Sequence, residues 1–380
     1  MQLELSDDHK MLQETVRRFV EDEVRPRAAV WDREEKFPWE AVRGLAKLGI
    51  MGMHVDPDLG GSGLDAMAGT VVLEEIARHD GSLALTVASH NGLCTGHIRI
   101  AGNDAQKKKY LPQLASGEKL GAWGLTEPNS GSDAAGMKTT AVKKGDRWIL
   151  NGAKIFITQG TVGDVFVVLA STSPEKKTHG ITAFILEKGM KGFSQRSIHG
   201  KLGMRASDTA ELHFEDVEVP EENQLGALDK GFIDTLKILD RGRITIAALG
   251  VGLARGALEE ARKYALDRQQ FGRPIADFQA IQWMLADIAV ETDAARLLTR
   301  RAAWLYDQGK SFNQEASMAK LFASEAATRA GMKAIQIHGG YGYTSEFPVE
   351  RYMRDAKLLE IGEGTSEVQR MVIARRLLGK

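Results

Sequence analysis

The apolar residues of this chain keep a helical period, lose it near residue 120 and regain it beyond Gly226, and that switch limits the architectures open to it. Before the switch, Ser6 stands as an N-cap ahead of Leu12, Val16, Phe19 and Val20, spaced by three and four until Pro26. Pro38 opens a second helix that ends near Gly49, residues 56–63 read as a Gly- and Pro-rich loop, and two more helices are expected over about 65–79 and 83–100. Within the switch, Trp148-Ile149-Leu150, Lys154-Ile155-Phe156-Ile157-Thr158 and the runs at 164–169 and 181–186 alternate with Gly, Asn and Asp, and read as strands. Runs this close leave no room for crossover helices, so an antiparallel β domain is expected rather than a Rossmann sheet. After it, Ile244, Ala248, Val251, Leu258 and Ala261 form one stripe, and Ala286, Ala289, Ala294 and Leu297 another. Long helices joined by short turns suggest a bundle. The expected fold is α+β: an N-terminal α-helical domain over 1–119, a middle antiparallel β domain over 120–228 and a C-terminal, four-helix-bundle-like domain over 229–380. A length of 380 residues suits two or three domains.

Charge narrows the function classes. Lys plus Arg number 50 against 51 Asp plus Glu, so no positive excess is available for nucleic acid. Hydrophobic residues at 43% and charged residues at 27% fit neither disorder nor a fibrous repeat. The longest nearly uncharged stretch, 244–254, falls short of the ~18 residues of a membrane span, so no membrane insertion is expected. The acidic start, Met1-Gln2-Leu3-Glu4-Leu5-Ser6-Asp7-Asp8, has no targeting pattern, which implies a cytoplasmic chain or a processed mitochondrial-matrix form. The single cysteine, Cys94, shares a helix face with His90 and His97 at a spacing zinc accepts, but no fourth ligand is evident and packing is the better account. Lys107-Lys108-Lys109 reads as a solvated face.

Four segments could carry chemistry. Leu125-Thr126-Glu127-Pro128-Asn129-Ser130-Gly131-Ser132-Asp133 is dense in hydroxyls and backbone donors, and is either a connection or a cradle for an anionic or heterocyclic ligand. Arg268-Gln269-Gln270-Phe271-Gly272-Arg273 puts cations beside an aromatic between two helices, which suits a pyrophosphate and a stacked ring as well as plain solvation. Gln336-Ile337-His338-Gly339-Gly340-Tyr341-Gly342 has three glycines where one would cap a helix, so a ligand or another subunit is expected to come close. Glu363 stands between Gly362 and Gly364 at the head of the last helix, with Thr365 or Ser366 as N-cap, and the glycines leave it room to meet a substrate.

These residues resemble the acyl-CoA dehydrogenases, FAD-dependent flavoenzymes, over essentially the whole chain. The resemblance rests on TEP-x-x-GSD at 126–133, NG-x-K-x-[WF]-IT at 151–158, the R-x-x-FG turn, QI-x-GG-x-G, MRDAK at 353–357 and EGTSE-x-QR at 363–370, all in the family's order. It implies that Trp123, Leu125, Thr126 and Ser132, with Phe156, Ile157 and Thr158, line the flavin, Ser132 also facing the substrate. Arg268, Phe271, Gln279, Gln336, Gly339 and Gly340 match positions that bind the dinucleotide part of FAD, some across a subunit interface; Thr365 and Glu367 match further flavin contacts. Asp240 and Arg243 match the stretch holding CoA, Gly364 approaches the thioester, and Glu363 matches the catalytic base. No metal is required.

The activity so implied is α,β-dehydrogenation of an acyl-CoA to the trans-2-enoyl-CoA in fatty-acid or branched-chain catabolism. Glu363 would take the α-proton, flavin N5 would accept the β-hydride, and burial beside an acyl chain should raise the base above its usual pKa of about 4.3. An electron-transfer flavoprotein would be the acceptor, and the protein a homotetramer. Some relatives carry the base at the position of Gly242, which cannot serve here; Gly362 replaces a common Tyr and should widen the acyl pocket; Phe156 replaces a common Trp. The alternatives are an acyl-CoA oxidase-like enzyme and a flavin-containing, DNA-associated stress protein on the same fold, the second opposed by the net charge of −1.

Overall fold

The structure, a computed structural model, describes residues 4–379, so Met1-Gln2-Leu3 of the acidic start lie outside it. The Ser6 hydroxyl accepts from the His9 N–H and caps α1 (Asp7–Phe19), which runs on through a π-helical turn, Val20–Val24, as far as the Pro26 region. There follow α2 (Ala28–Glu34), α3 (Trp39–Lys47), α4 (Ala66–Ala77), α5 (Gly81–Ser89), a second π turn at His90–Cys94, α6 (Thr95–Ala101) and α7 (Asp104–Ala115). The helices α2 and α7 are additions to the sequence expectation. Helix α2 has no side-chain cap to announce it, whereas α7 opens on an Asn103/Gln106 capping box that the sequence carries in full. On α7, Lys108 is solvated as expected, but Lys109 reaches Glu187 at 2.9 Å.

The middle of the chain forms β1 (Gly121–Gly124), β2 (Thr140–Lys144), β3 (Arg147–Thr158), β4 (Val165–Ser171), β5 (Ile181–Glu187), β6 (Phe193–Ser197), β7 (Thr209–Pro220) and β8 (Gln224–Leu225). The order is β6-β7-β3-β2-β4-β5-β8, antiparallel as expected apart from β1, which lies parallel on β4, and a single parallel bridge from β2 to β4. The runs read separately at 148–150 and 154–158 are one strand, β3. Its register against β7 slips between Leu150 and Gly152 and again between Lys154 and Ile157, and those irregularities break its alternation in two.

Helical structure resumes with α8 (Gly231–Asp267), a hairpin of β9 (Gln269–Gln270) and β10 (Arg273–Pro274), α9 (Gln279–Asp307), α10 (Asn313–His338), α11 (Val349–Leu359) and α12 (Ser366–Leu377). Helix α10 packs on α8, α9, α11 and α12, and α4 leans on α8 from the N-terminal side. The α8 stripe is buried as expected, Leu258 only in part. The α9 stripe is corrected: Ala286, Ala289 and Leu297 are exposed and Ala294 half-buried, while Ile288, Thr292, Ala295, Thr299 and Ala302 face inward. Small apolar residues lie on both sides of α9, so periodicity alone does not choose its buried face. Among the described residues no helix is long and apolar enough to cross a membrane.

Candidate active site

Helix α11 ends at Leu359, and Thr365 starts α12 by accepting from the Val368 N–H at 3.3 Å. The connection between them takes left-handed backbone at two successive residues, Glu363 (φ +53°) and Gly364 (φ +92°). For glutamate that conformation is strained, and strain of this kind persists only where surrounding contacts hold it. Here Lys320 Nζ on α10 and Gln369 Nε2 on α12 both donate to the Gly364 carbonyl, at 2.6 and 2.9 Å.

The turn aims the Glu363 side chain at α8. A Cβ on Gly242 would collide with Glu363 Oε2, so the glycine is what allows the carboxylate to stand there. The residue is half-buried as a whole, but Oε2 is shut off from solvent and has no hydrogen-bond partner. Burial pushes this carboxyl up to about 7, against the pull of the Lys320 and Arg243 charges. A carboxyl with one sealed, unbonded oxygen and a pKa near neutrality can take a proton from a weak carbon acid. Asp240 and Arg243 lie close by and are bonded to each other at 2.5 Å; Asn313 also binds Asp240, and Ser317 binds Arg243 at 3.2 Å. We expect Gly242→Ala to fold, because the clashing atom ends a flexible side chain, but to lose about 10²-fold in turnover as the carboxylate swings away. Unchanged turnover with an unchanged Tm would show that the carboxylate does not work from this position.

The loop after β1 is not a free connection. Lys154, fully buried on β3, donates to the Leu125 carbonyl at 3.0 Å and to Glu127 Oε1 at 2.7 Å. The Glu127 carboxylate in turn accepts from the backbone N–H groups of Lys138 and Thr139. Burial alone would raise Glu127, but Lys154 and these donors hold it below its usual value. Thr126 thereby stays beside β3, its carbonyl accepting from the Ile155 N–H at 2.9 Å. The second slip of β3 gives Phe156 a positive φ (+59°) and leaves it 64% exposed, so the bulge presents an aromatic ring beside Thr126. The Ile157 side chain packs in the β-domain core, leaving its backbone to face a ligand. Thr158 ends the strand half-buried, and Ser132 is exposed on the loop. Trp123 is buried, its indole N–H donating to His97 Nδ1 at 3.1 Å.

Arg268, Gly339 and Gly340 meet elsewhere, in an open cleft of about 470 Å³ between the ends of α8 and α10. Arg268 lies over the Tyr341 ring at 5.6 Å, and a Cβ on either glycine would meet nothing within 4 Å. Gln336 is exposed on the last turn of α10, Gln279 on the first turn of α9, and Phe271 is 93% exposed on the hairpin. No residue of the Glu363 group lines this cleft. The expected site residues therefore fall into three groups, with no hydrogen bond or ion pair between them among the described residues. A cation, two open glycines and an exposed aromatic fit a dinucleotide; the bulged Phe156 beside Thr126 fits a flat ring.

His90, Cys94 and His97 each have protein partners: His90 bonds the Leu114 carbonyl and the Gly121 N–H, both at 3.0 Å, and Cys94 donates to the Val165 carbonyl at 3.6 Å. Burial pushes both histidines down to about 4, so they pack as neutral rings. The sequence reading missed Lys320 and Lys154. A signal for Lys320 exists, since it falls between Ala316 and Ala323 on the alanine stripe of α10, where a charge is out of place.

Family models for the acyl-CoA dehydrogenase N-terminal, middle and C-terminal domains match residues 6–118, 122–217 and 229–378. A curated relative named "Acyl-CoA dehydrogenase, short-chain specific", from Clostridium acetobutylicum, is 47% identical over 377 residues, covering 99% of this chain and 100% of its own length. The solved butyryl-CoA dehydrogenase from Megasphaera elsdenii superposes with a TM-score of 0.97 at 43% identity, all of both chains covered. A chain solved under the description "Electron transferring flavoprotein of Acidaminococcus fermentans" gives 0.98 at 44%, again over the full length of both. The chain belongs to the acyl-CoA dehydrogenase family and is a flavoprotein oxidoreductase of that family.

Proposed function

We propose that this chain desaturates a short-chain acyl-CoA between Cα and Cβ to the trans-2-enoyl-CoA, with Glu363 taking the α-proton. The observation that carries this reading is the sealed, unbonded Oε2 of Glu363, lifted to about 7 and standing against Gly242. FAD, when bound, supplies the acceptor for the β-hydride. Trp123, Leu125, Thr126 and Ser132, with Phe156, Thr158 and the backbone of Ile157, would hold its ring, and Thr365 and Glu367 would add contacts from the head of α12. Arg268, Phe271, Gln279, Gln336, Gly339 and Gly340 would hold the dinucleotide part of FAD, some of them across a subunit interface. Asp240 and Arg243 would orient the CoA portion, and backbone donors near Glu363 and Gly364 would stabilise charge developing on the thioester oxygen.

The short acyl chain follows the names of the Clostridium and Megasphaera relatives. An electron-transferring flavoprotein as acceptor follows the description of the Acidaminococcus chain. A homotetramer is supported by the outward apolar face of α9, where Trp283 is 65% and Val290 69% exposed. Gly362 favours a second reading of the substrate: a Cβ there would meet Leu358 only at 3.5 Å and beyond, so a side chain would fit, and its absence leaves room for a bulkier acyl group.

Anaerobic bleaching of the flavin by a panel of straight, branched and aromatic acyl-CoAs tests the proposal. Fastest bleaching by a short straight chain is expected; a branched or aromatic winner would favour the second reading, and a yellow protein bleached by none would overturn both. Arg268→Ala should bind FAD about 10- to 100-fold more weakly, because a charge-assisted contact to pyrophosphate is lost. A variant that retains its full flavin through dialysis would contradict that role.

A further inference from the structure

We propose that Lys320 is the positioning residue for the base: its ammonium pins the Glu363–Gly364 turn through the Gly364 carbonyl and stabilises the ionised Glu363 carboxylate. The inference rests on the reading of Glu363 as the base. Lys320 is fully buried on α10, yet its one hydrogen bond is to the Gly364 carbonyl, at 2.6 Å, and among the described residues no carboxylate lies within ion-pair distance of it. An ammonium has three donors and is costly to bury without a counter-charge, so so little satisfaction by fixed groups is unusual. What the ammonium does reach is the second of two consecutive left-handed residues, the strained pair that aims the carboxylate at Gly242. Gln369 supports the same carbonyl from α12 at 2.9 Å, with a longer contact of 3.4 Å to the Glu363 carbonyl. The two donors approach from different helices.

Two cations act on Glu363, Lys320 from α10 and Arg243 from α8, while Glu360 and Glu367 act on Lys320. Arg243 on α8 also draws the carboxylate toward ionisation, but it is already paired with Asp240. Glu360, just past α11, is bound to Lys357 and Thr328, and Glu367 in the first turn of α12 is exposed. Lys320 is thus the nearby cation that no carboxylate has neutralised. Burial lowers its own pKa to about 8, with the Glu363 charge opposing that fall.

The test compares the native chain with Lys320→Met and Lys320→Gln in the flavin-loaded protein, measuring anaerobic flavin reduction from pH 5.5 to 9 beside flavin content and Tm. Only the ionised base accepts a proton, so the rate rises with pH through the pKa of Glu363. Without the ammonium, that rise should move up by about one unit, giving a loss of about tenfold at pH 6 that shrinks toward pH 9. Lys320→Gln keeps a donor for the Gly364 carbonyl, so its Tm and flavin content should stay near native while its pH profile remains displaced. A loss of equal size at every pH, or a native profile in Lys320→Gln, overturns the proposal, and the glutamine variant decides alone if the methionine variant does not fold. A native chain bleached by no acyl-CoA would instead overturn the reading of Glu363 as base.

Discussion

Glu363→Gln should purify yellow, bind acyl-CoA, and reduce its flavin about 10²- to 10⁴-fold more slowly than the native chain, the range that a positioned general base supplies. The amide matches the carboxyl in shape and cannot accept the α-proton. The fold should tolerate it, because a carboxyl raised to about 7 already spends much of its time uncharged near neutrality. The sealed Oε2 makes no hydrogen bond, so the exchange removes none there. Rapid-mixing reduction of the flavin, with binding followed separately by the shift of its absorption band, separates chemistry from affinity. Near-native reduction would remove Glu363 from the mechanism, and loss of acyl-CoA binding would make it a binding residue instead.

The second large effect lies in the loop after β1. Lys154→Met should cost about 3–5 kcal/mol, because it leaves Glu127 buried without its cation and the Leu125 carbonyl without its donor. In a chain of 380 residues that corresponds to a Tm lower by about 4–6 °C. Flavin should be lost as well, since Lys154 and Glu127 fix the loop that keeps Thr126 beside Phe156. Adding Glu127→Gln to Lys154→Met should restore part of the Tm by removing the uncompensated charge. Thermal unfolding with flavin fluorescence as a second probe tests both variants; an unchanged Tm and full flavin in Lys154→Met would show the buried pair to be dispensable.

The sequence determined what depends on residues a few positions apart. Ser6 and Thr365 cap their helices as expected because an N-cap bonds to an N–H within three residues. The helix–strand–helix order followed from the period of the apolar residues, and the glycines around Glu363 marked it as a carboxylate with room to meet a substrate. The motifs carried the family and directed attention to Glu363.

Packing decided the rest. The outward turn of Ala286, Ala289 and Leu297 was not legible, because α9 carries small apolar residues on both sides and its neighbours choose between them. The slip of β3 that exposes Phe156 and buries Ile157 depends on its register with β7, which is set by a distant strand. Lys154 and Lys320 look like any of the 50 basic residues until Glu127 and Gly364 are seen against them. Likewise Gly242 and Glu363 come from separate helical segments, and only their packing brings a backbone without Cβ against a sealed carboxylate. Local backbone preferences act over a few residues and can be read along the chain. The cost of burying a charge, and hence the pKa of a base, is set by whatever the fold places around it.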